Sequence, residues 1–266
     1  MKKEAIITLP NPHLRQKSQR VHVVSDETRQ LIKDMTDASI DWENSRPHEI
    51  SAALAAVQID RLERVVIVRA DFEDKDNQEF IPLINPEIVK YEGEITYDYE
   101  GCLSVKDFYG KVPRYSKIRV KAINIDGDEI RIKANGFLAR VLQHEIDHCN
   151  GIVFVDHIRD DHQAFYRLND EGELDPLDYE RYVKDNADLW DRQPIVFFGT
   201  EDFSLYSLRA LVEAGFNIVA VITKPDSRRG RSNKLIQPAV KQFASQHHIP
   251  VWQPKRLKDI ISDIKN

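Results

Sequence analysis

Residues 143–150 read Gln143-His144-Glu145-Ile146-Asp147-His148-Cys149-Asn150. On a helix His144 and His148 stand one turn apart and project from one face. That spacing lets two imidazoles hold one metal ion. Glu145 lies beside them without ligand duty, placed to take a proton from metal-activated water and hand it to a leaving group. Asn135-Gly136 and Asn150-Gly151 read as the ends of the helix, and Phe137, Leu138, Val141 and Leu142 as its apolar stripe. A surface helix with two coincidental histidines has the same letters, so the reading needs a further ligand elsewhere.

A catalytic metal site takes about three protein ligands and keeps one position open. The candidate third ligand is Cys102, in Glu100-Gly101-Cys102-Leu103-Ser104. A thiolate suits Fe(II), Zn(II) or Co(II). A free cysteine is equally often a small buried residue, and on the residues alone both readings stand. Cys149, directly after His148, reads as a packing residue.

Outward from the helix, strand-like runs crowd the first half: Arg64–Arg69, Phe80–Asn85, Ile88–Tyr91, Ile118–Ile123 and Glu129–Lys133, with Asp126-Gly127 as a hairpin signal. Before them Ser25–Trp42 reads as a capped helix, with Leu31, Met35, Ala38 and Trp42 at helical spacing. Strands in a run with few helices indicate an α+β fold. After Val155 the chain turns polar and acidic, and residues 161–193 read as a polar helical extension that becomes a linker. Strand, helix, strand, helix, strand then follow over 194–266, a partial α/β, Rossmann-like βαβαβ segment.

The 266 residues accommodate one large domain or two small ones, and 41% hydrophobic with 31% charged residues is an ordinary globular composition. A net charge of −6 gives no general electrostatic reason to bind nucleic acid. Two cysteines fit a reducing compartment, and neither a signal peptide nor a membrane span is visible, so the expected location is cytoplasmic.

Three segments carry a resemblance, in order: Ala53-Leu54-Ala55-Ala56-Val57-Gln58, Glu100-Gly101-Cys102-Leu103-Ser104 and His144-Glu145-Ile146-Asp147-His148. They resemble the three motifs of peptide deformylases, and Asn150–Asp156 continues the likeness, which spans roughly Ile6 to Ile158. The resemblance implies a catalytic domain over 1–160 and a metal-dependent hydrolase. Its expected reaction removes the N-formyl group from the terminal methionine of newly made proteins, with contact to the ribosome. It implies one divalent metal ion, Fe2+ foremost, with Zn2+, Co2+ or Ni2+ also suited, held by Cys102, His144 and His148. Glu145 would be the general acid/base. The Gln58 amide and the Leu103 backbone N–H would face the oxyanion, with Ala53 and Gly101 along the substrate path. One departure stands out: the family usually has Gly-x-Gly where this chain has Ser51-Ala52-Ala53, so a methyl group approaches that path.

A second likeness covers Ile195 to Leu257. Ile195–Phe203, Ala220–Asp226 and Ile249–Pro254 are similar to the beginning of methionyl-tRNA formyltransferase. It implies a basic loop, with Arg228, Arg229, Arg231 and Lys234, that approaches tRNA. The family's catalytic residues would lie beyond Asn266, so 194–266 reads as a truncated half-domain without transferase chemistry. Two rivals remain: another His-Glu-x-x-His hydrolase such as a zinc peptidase, and an RNA- or ribosome-binding module built on the basic loop.

Overall fold

The computed structural model describes residues 1–46, 48–190, 195–213, 216, 218–229, 234–247, 249–254 and 256. It divides into two compact units, Met1–Trp190 and Asp191–Asn266.

In the first unit, helix α1 (Asp26–Asn44) starts at Ser25, whose side chain accepts from the Thr28 N–H in a capping box. Its Leu31, Met35 and Ala38 are buried against Leu54, Ile67 and Ile84. Burying the two larger side chains contributes about 2 kcal/mol each. The strands β1 (Ala53–Ala55), β2 (Val65–Arg69), β3 (Phe80–Cys102), β4 (Val105–Ile123) and β5 (Glu129–Asn135) follow. They pair antiparallel, β1-β2-β3-β4, with β5 also on β4. Two runs read separately from the sequence, Phe80–Asn85 and Ile88–Tyr91, belong to the single strand β3. The register shifts between Ile84 and Glu87, and this irregularity carries Pro86, which has no N–H to give the ladder. β3 ends at Cys102, and Leu103-Ser104 turns the chain into β4.

Helix α2 (Gly136–Cys149) is buried on nearly every side. Ala139, Leu142, Ile146 and Cys149 pack with Val57, Val66, Leu83, Ile118 and Val120. A helix buried this way is a rigid platform, since each turn is fixed by neighbours on several faces. Burial pushes the Cys149 thiol up to about 12, which fits its place in that core.

The stretch after Val155 corrects the expectation of a polar helical extension over 161–193. Phe165–Leu168 forms strand β6 and Leu174–Pro176 forms β7, which extend the sheet from β4 as β4-β6-β7. The helices α3 (Tyr179–Tyr182) and α4 (Ala187–Trp190) are single turns. Ala164, Phe165, Val183 and Leu189 join Val105, Val112, Phe154 and Ile158 in a buried cluster. A few apolar anchors thus hold a segment whose composition is otherwise largely polar and acidic. Averaged composition hides such anchors.

In the second unit, β8 (Ile195–Phe198), β9 (Ile218–Ile222) and, at its other end, the two-residue strand over 251–252 form a parallel sheet. Between the first two lies α5 (Asp202–Glu213), and after β9 come the antiparallel ribbon β10 (Ser227–Arg229) with β11 (Lys234–Ile236) and then α6 (Ala239–Gln246). The final strand is β12 (Val251–Trp252), and the order across the sheet is β12-β9-β8. Leu208, Val221, Val240 and Phe243 form its core. The second helix of this segment begins at Ala239, after Pro238, whose ring disfavours helix in the residue before it. Arg228, Arg229 and Lys234 lie on the ribbon by their backbone; their side chains, and all of Arg231, lie outside the described residues. Among the described residues no helix is long and apolar enough to cross a membrane.

Candidate metal centre

The sheet and α2 bring together residues far apart in sequence. Cys102 stands at the last position of β3, and His144 and His148 lie one turn apart on α2. Their donor atoms all lie within 4.8 Å of one another, and Cys102 Sγ is 3.2 Å from His148 Nε2. Among the described residues this is the one cluster with that property.

The ring of His144 is set by a partner that sequence reasoning quoted but gave no role. Its Nδ1 lies 2.9 Å from Glu100 Oε2, which leaves Nε2 for the cluster. Glu100 in turn accepts from Arg114 Nε at 2.9 Å, Arg114 Nη2 at 3.0 Å and Arg140 Nη1 at 2.8 Å. Arg140 also donates to the carbonyls of Thr96 and Val112. Arg114 reaches on to Asp147, whose carboxylate meets His157 Nε2 at 2.7 Å. Burial would raise the Glu100 pKa, but hydrogen bonds with His144 and Arg114 reverse that and hold it well below the usual carboxylate range. Arg140 was findable: it sits four residues before His144 on a helix whose other faces are apolar. Arg114, on a strand far from every motif, gives no such signal.

The donor set fits a cation. Burial opposes a charge on His144, yet its contacts with Cys102 and Glu100 raise its pKa well above normal. A thiol and two imidazoles whose donor atoms lie within 4.8 Å of one another are the donor types that a transition-metal cation takes. Burial, with the charge of His144 beside it, pushes His148 well below its usual value, so that imidazole is neutral, the form that ligates.

Glu145 is buried beside the cluster, and its Oε2 has no hydrogen-bond partner among the described residues. Burial pushes its carboxyl up to about 7, the range in which a group can both accept and return a proton near neutrality. Gln58 sits in a 3-10 turn, Ala56–Ile59, directly after β1. Its Oε1 accepts from the Ala55 N–H at 2.8 Å; its Nε2 donates to Ser104 Oγ at 3.2 Å and lies 3.5 Å from Cys102 Sγ. Leu103 follows Cys102 in the turn.

A cavity of about 370 Å3 opens on these groups; Cys102, His144, Glu145, Gln58, Ala53 and Gly101 are all on its wall. A side chain at Gly101 would strike the Tyr109 ring at 2.5 Å, so glycine keeps backbone accessible there. The departure at Ser51-Ala52-Ala53 is part of a buried network. The Ser51 N–H donates to Glu43 Oε2 at 2.8 Å, its carbonyl accepts from Arg69 Nε at 3.2 Å, and Arg69 pairs with Glu43. Leu168, Gly172 and Leu174, which sequence reasoning assigned to the extension, line the same cavity.

The family model described as polypeptide deformylase matches residues 3–164. The chain belongs to the polypeptide deformylase family. It is 45% identical over 171 residues to the peptide deformylase of Thermomicrobium roseum, covering 63% of this chain and 93% of that one. It is 42% identical over 143 residues to peptide deformylase 2 of Clostridium acetobutylicum, covering 54% of this chain and 87% of the relative. Among solved structures, a peptide deformylase from Synechococcus elongatus in complex with actinonin matches with a TM-score of 0.53 at 32% identity, over 59% of this chain and 80% of that one. A peptide deformylase from Legionella pneumophila matches with a TM-score of 0.51 at 38% identity, over 57% and 83%. The deformylase match ends at residue 164, one residue before β6 begins.

Proposed function

We propose that the first unit hydrolyses the formyl group from the N-terminal methionine of newly made proteins, using one divalent ion held by Cys102, His144 and His148. The observation that carries this reading is the convergence of a thiol and two imidazoles within 4.8 Å, beside a buried carboxylate with an unpartnered oxygen. When bound, the ion supplies Lewis acidity toward water and the formyl carbonyl. Fe2+ is the foremost candidate; Zn2+, Co2+ and Ni2+ suit the same donors.

The chain's own residues account for the proton traffic. Water adds to the formyl carbon, Glu145 takes its proton, the carbon–nitrogen bond breaks, and Glu145 delivers that proton to the departing amine. Formate and a free N-terminus are the products. As the carbonyl oxygen gains charge, Gln58 Nε2–H and the Leu103 N–H donate to it; losing one such donor costs about a hundredfold or more in rate. Glu100 holds the His144 ring, and the surrounding arginines hold Glu100.

A zinc peptidase reading expects a third ligand downstream of the helix. The cluster instead uses Cys102, upstream, and no downstream His or Glu among the described residues joins it. Formate release from a formyl-methionyl peptide, tracked against metal content, with Glu145→Ala as control, tests the proposal. Cleavage of unformylated peptides with no formate released would overturn it.

The second unit is read as a formyltransferase-like segment whose basic stretch, Arg228, Arg229, Arg231 and Lys234, binds tRNA. Its parallel strands alternating with helices support the first part. Salt-dependent tRNA binding that survives Cys102→Ser would support the second; no binding at low salt would end it. Ribosome contact follows from the proposed substrate and is tested by co-sedimentation with ribosomes.

A further inference from the structure

We propose that the β6–β7 hairpin is a specificity wall that selects apolar side chains in the residues following the formylated methionine. This rests on the deformylase reading and deepens it. Leu168 and Leu174 face one another across the antiparallel ladder, and both line the cavity that contains Cys102, His144 and Glu145. Both are only half-buried, so the hairpin presents two leucines to the space a ligand would fill. Because the two leucines share one cavity with Cys102, His144 and Glu145, a peptide whose formyl group lay at the metal ligands would place its next residues within reach of this wall.

The wall is held by contacts within the first unit. At its base Phe165 is buried in a hydrophobic cluster, the Lys111 N–H donates to the Ala164 carbonyl at 2.8 Å, and the Leu177 N–H donates to the Phe165 carbonyl at 2.9 Å. Tyr166 meets Tyr99, another cavity residue, edge to face at 4.9 Å. At the tip, Asn169 Oδ1 accepts from the N–H groups of Glu173 at 2.8 Å and Glu171 at 3.1 Å. Gly172 has a φ of +83°, and a Cβ there would meet the His48 ring at 3.2 Å. The tip therefore rests against the segment between α1 and β1, and the hairpin spans the cavity from β4 to that segment. A wall tied down at base and tip by these contacts has little to order on binding, so its contacts count toward discrimination.

The test compares formyl-Met-Leu-Leu-amide with formyl-Met-Ser-Ser-amide. The metal-loaded full chain should use the leucine peptide with about tenfold or higher kcat/KM, carried mainly by KM. In the Leu168→Ser/Leu174→Ser variant that ratio should fall to about twofold, while Leu168→Met/Leu174→Met, which conserves volume, should retain it. Thermal melts and metal content are read beside the kinetics. If the serine pair does not fold, Leu174→Trp narrows the same passage and must penalise the leucine peptide more than the serine peptide.

Calorimetric titration of the same two peptides into Glu145→Ala chain, with and without the leucine changes, reads binding without turnover. Leucine-dependent binding with no formate release by the unmodified chain would sink the deformylase reading and keep the wall. Turnover with equal use of both peptides, or an equal loss on both in the serine pair, would overturn the wall and leave the deformylase reading standing.

Discussion

The cavity has two walls made on opposite plans. The inner wall, from α2, the end of β3 and the Gln58 turn, is polar, buried and tied by side chains: Glu100 alone meets His144, Arg114 and Arg140. The outer wall, β6–β7, is held by backbone ladders and one buried phenylalanine, and it turns leucines inward. The difference separates two jobs. Chemistry needs groups fixed in angle and charge, which in a dry interior requires every polar partner to be supplied. Selection among side chains needs only shape and apolar surface, which a hairpin provides with few sequence constraints.

Removing the metal breaks the inner wall most completely. Chelation should bring formate release to background, and Fe2+, Zn2+, Co2+ or Ni2+ should restore it to different extents. Activity that persists in metal-free protein by elemental analysis would contradict the role given to Cys102, His144 and His148. Next in size is Glu145→Gln, which keeps shape and removes the proton acceptor. It should lower kcat by about a hundred- to ten-thousandfold, with metal content unchanged. An equal fall in bound metal would instead make Glu145 a structural support of the site.

Glu100→Gln tests whether the support around the metal ligands is as important as its geometry suggests. It leaves Arg140 buried against a neutral partner, while Arg114 keeps the Asp147 carboxylate, and breaking a buried pair costs about 3 kcal/mol. Metal affinity should fall about ten- to a hundredfold, as when an outer partner of a ligand is lost. The pH dependence has a definite sign. The Glu100 pKa is depressed in the folded state, so its contribution to stability is complete above the ordinary value of about 4.5 and is lost as pH falls below it. The gap in melting temperature between the unmodified and Gln chains should therefore narrow on acidification from pH 6 to about pH 3. A gap that widens would show that Glu100 is not the ionised hub described.

Legibility in the sequence follows the same division. His144 and His148 stood out because ligand chemistry demands particular residue types at particular spacing, whereas Cys102 stayed open on its residues alone and Gln58 took its role only from the resemblance to the deformylase motifs. The β4–β5 hairpin was legible at Asp126-Gly127, but Pro86 divided β3 into two runs, because a proline within a run reads as a break where the strand bulges and continues. The hairpin β6–β7 was missed altogether. Its inward leucines are set among Asp170, Glu171, Glu173 and Asp175, and the acidic average outweighed the alternation. A wall that acts by surface alone leaves no motif, and only the tertiary contacts of Phe165 and the Asn169 turn reveal it.

The smallest expected effect lies where the two walls approach the substrate from either side, at Ala53. Its methyl group is on the cavity wall, in a strand that pairs with Val68 and follows directly from the Ser51–Glu43–Arg69 network. That network fixes the backbone independently of Ala53, so Ala53→Gly should fold. It should lose about 0.5–1 kcal/mol of stability, the usual cost of glycine in a strand. The space gained is one methyl group; a group of that size enclosed in a pocket is worth about tenfold or more in kcat/KM, and one that only borders the substrate path is worth less. A rise in kcat/KM of a few fold, shared by leucine and serine peptides, would locate the methyl against the substrate backbone, which every peptide has. A change confined to the leucine peptide would extend the specificity wall to β1. No change with either peptide would show that Ser51-Ala52-Ala53 is a structural substitution with no part in recognition.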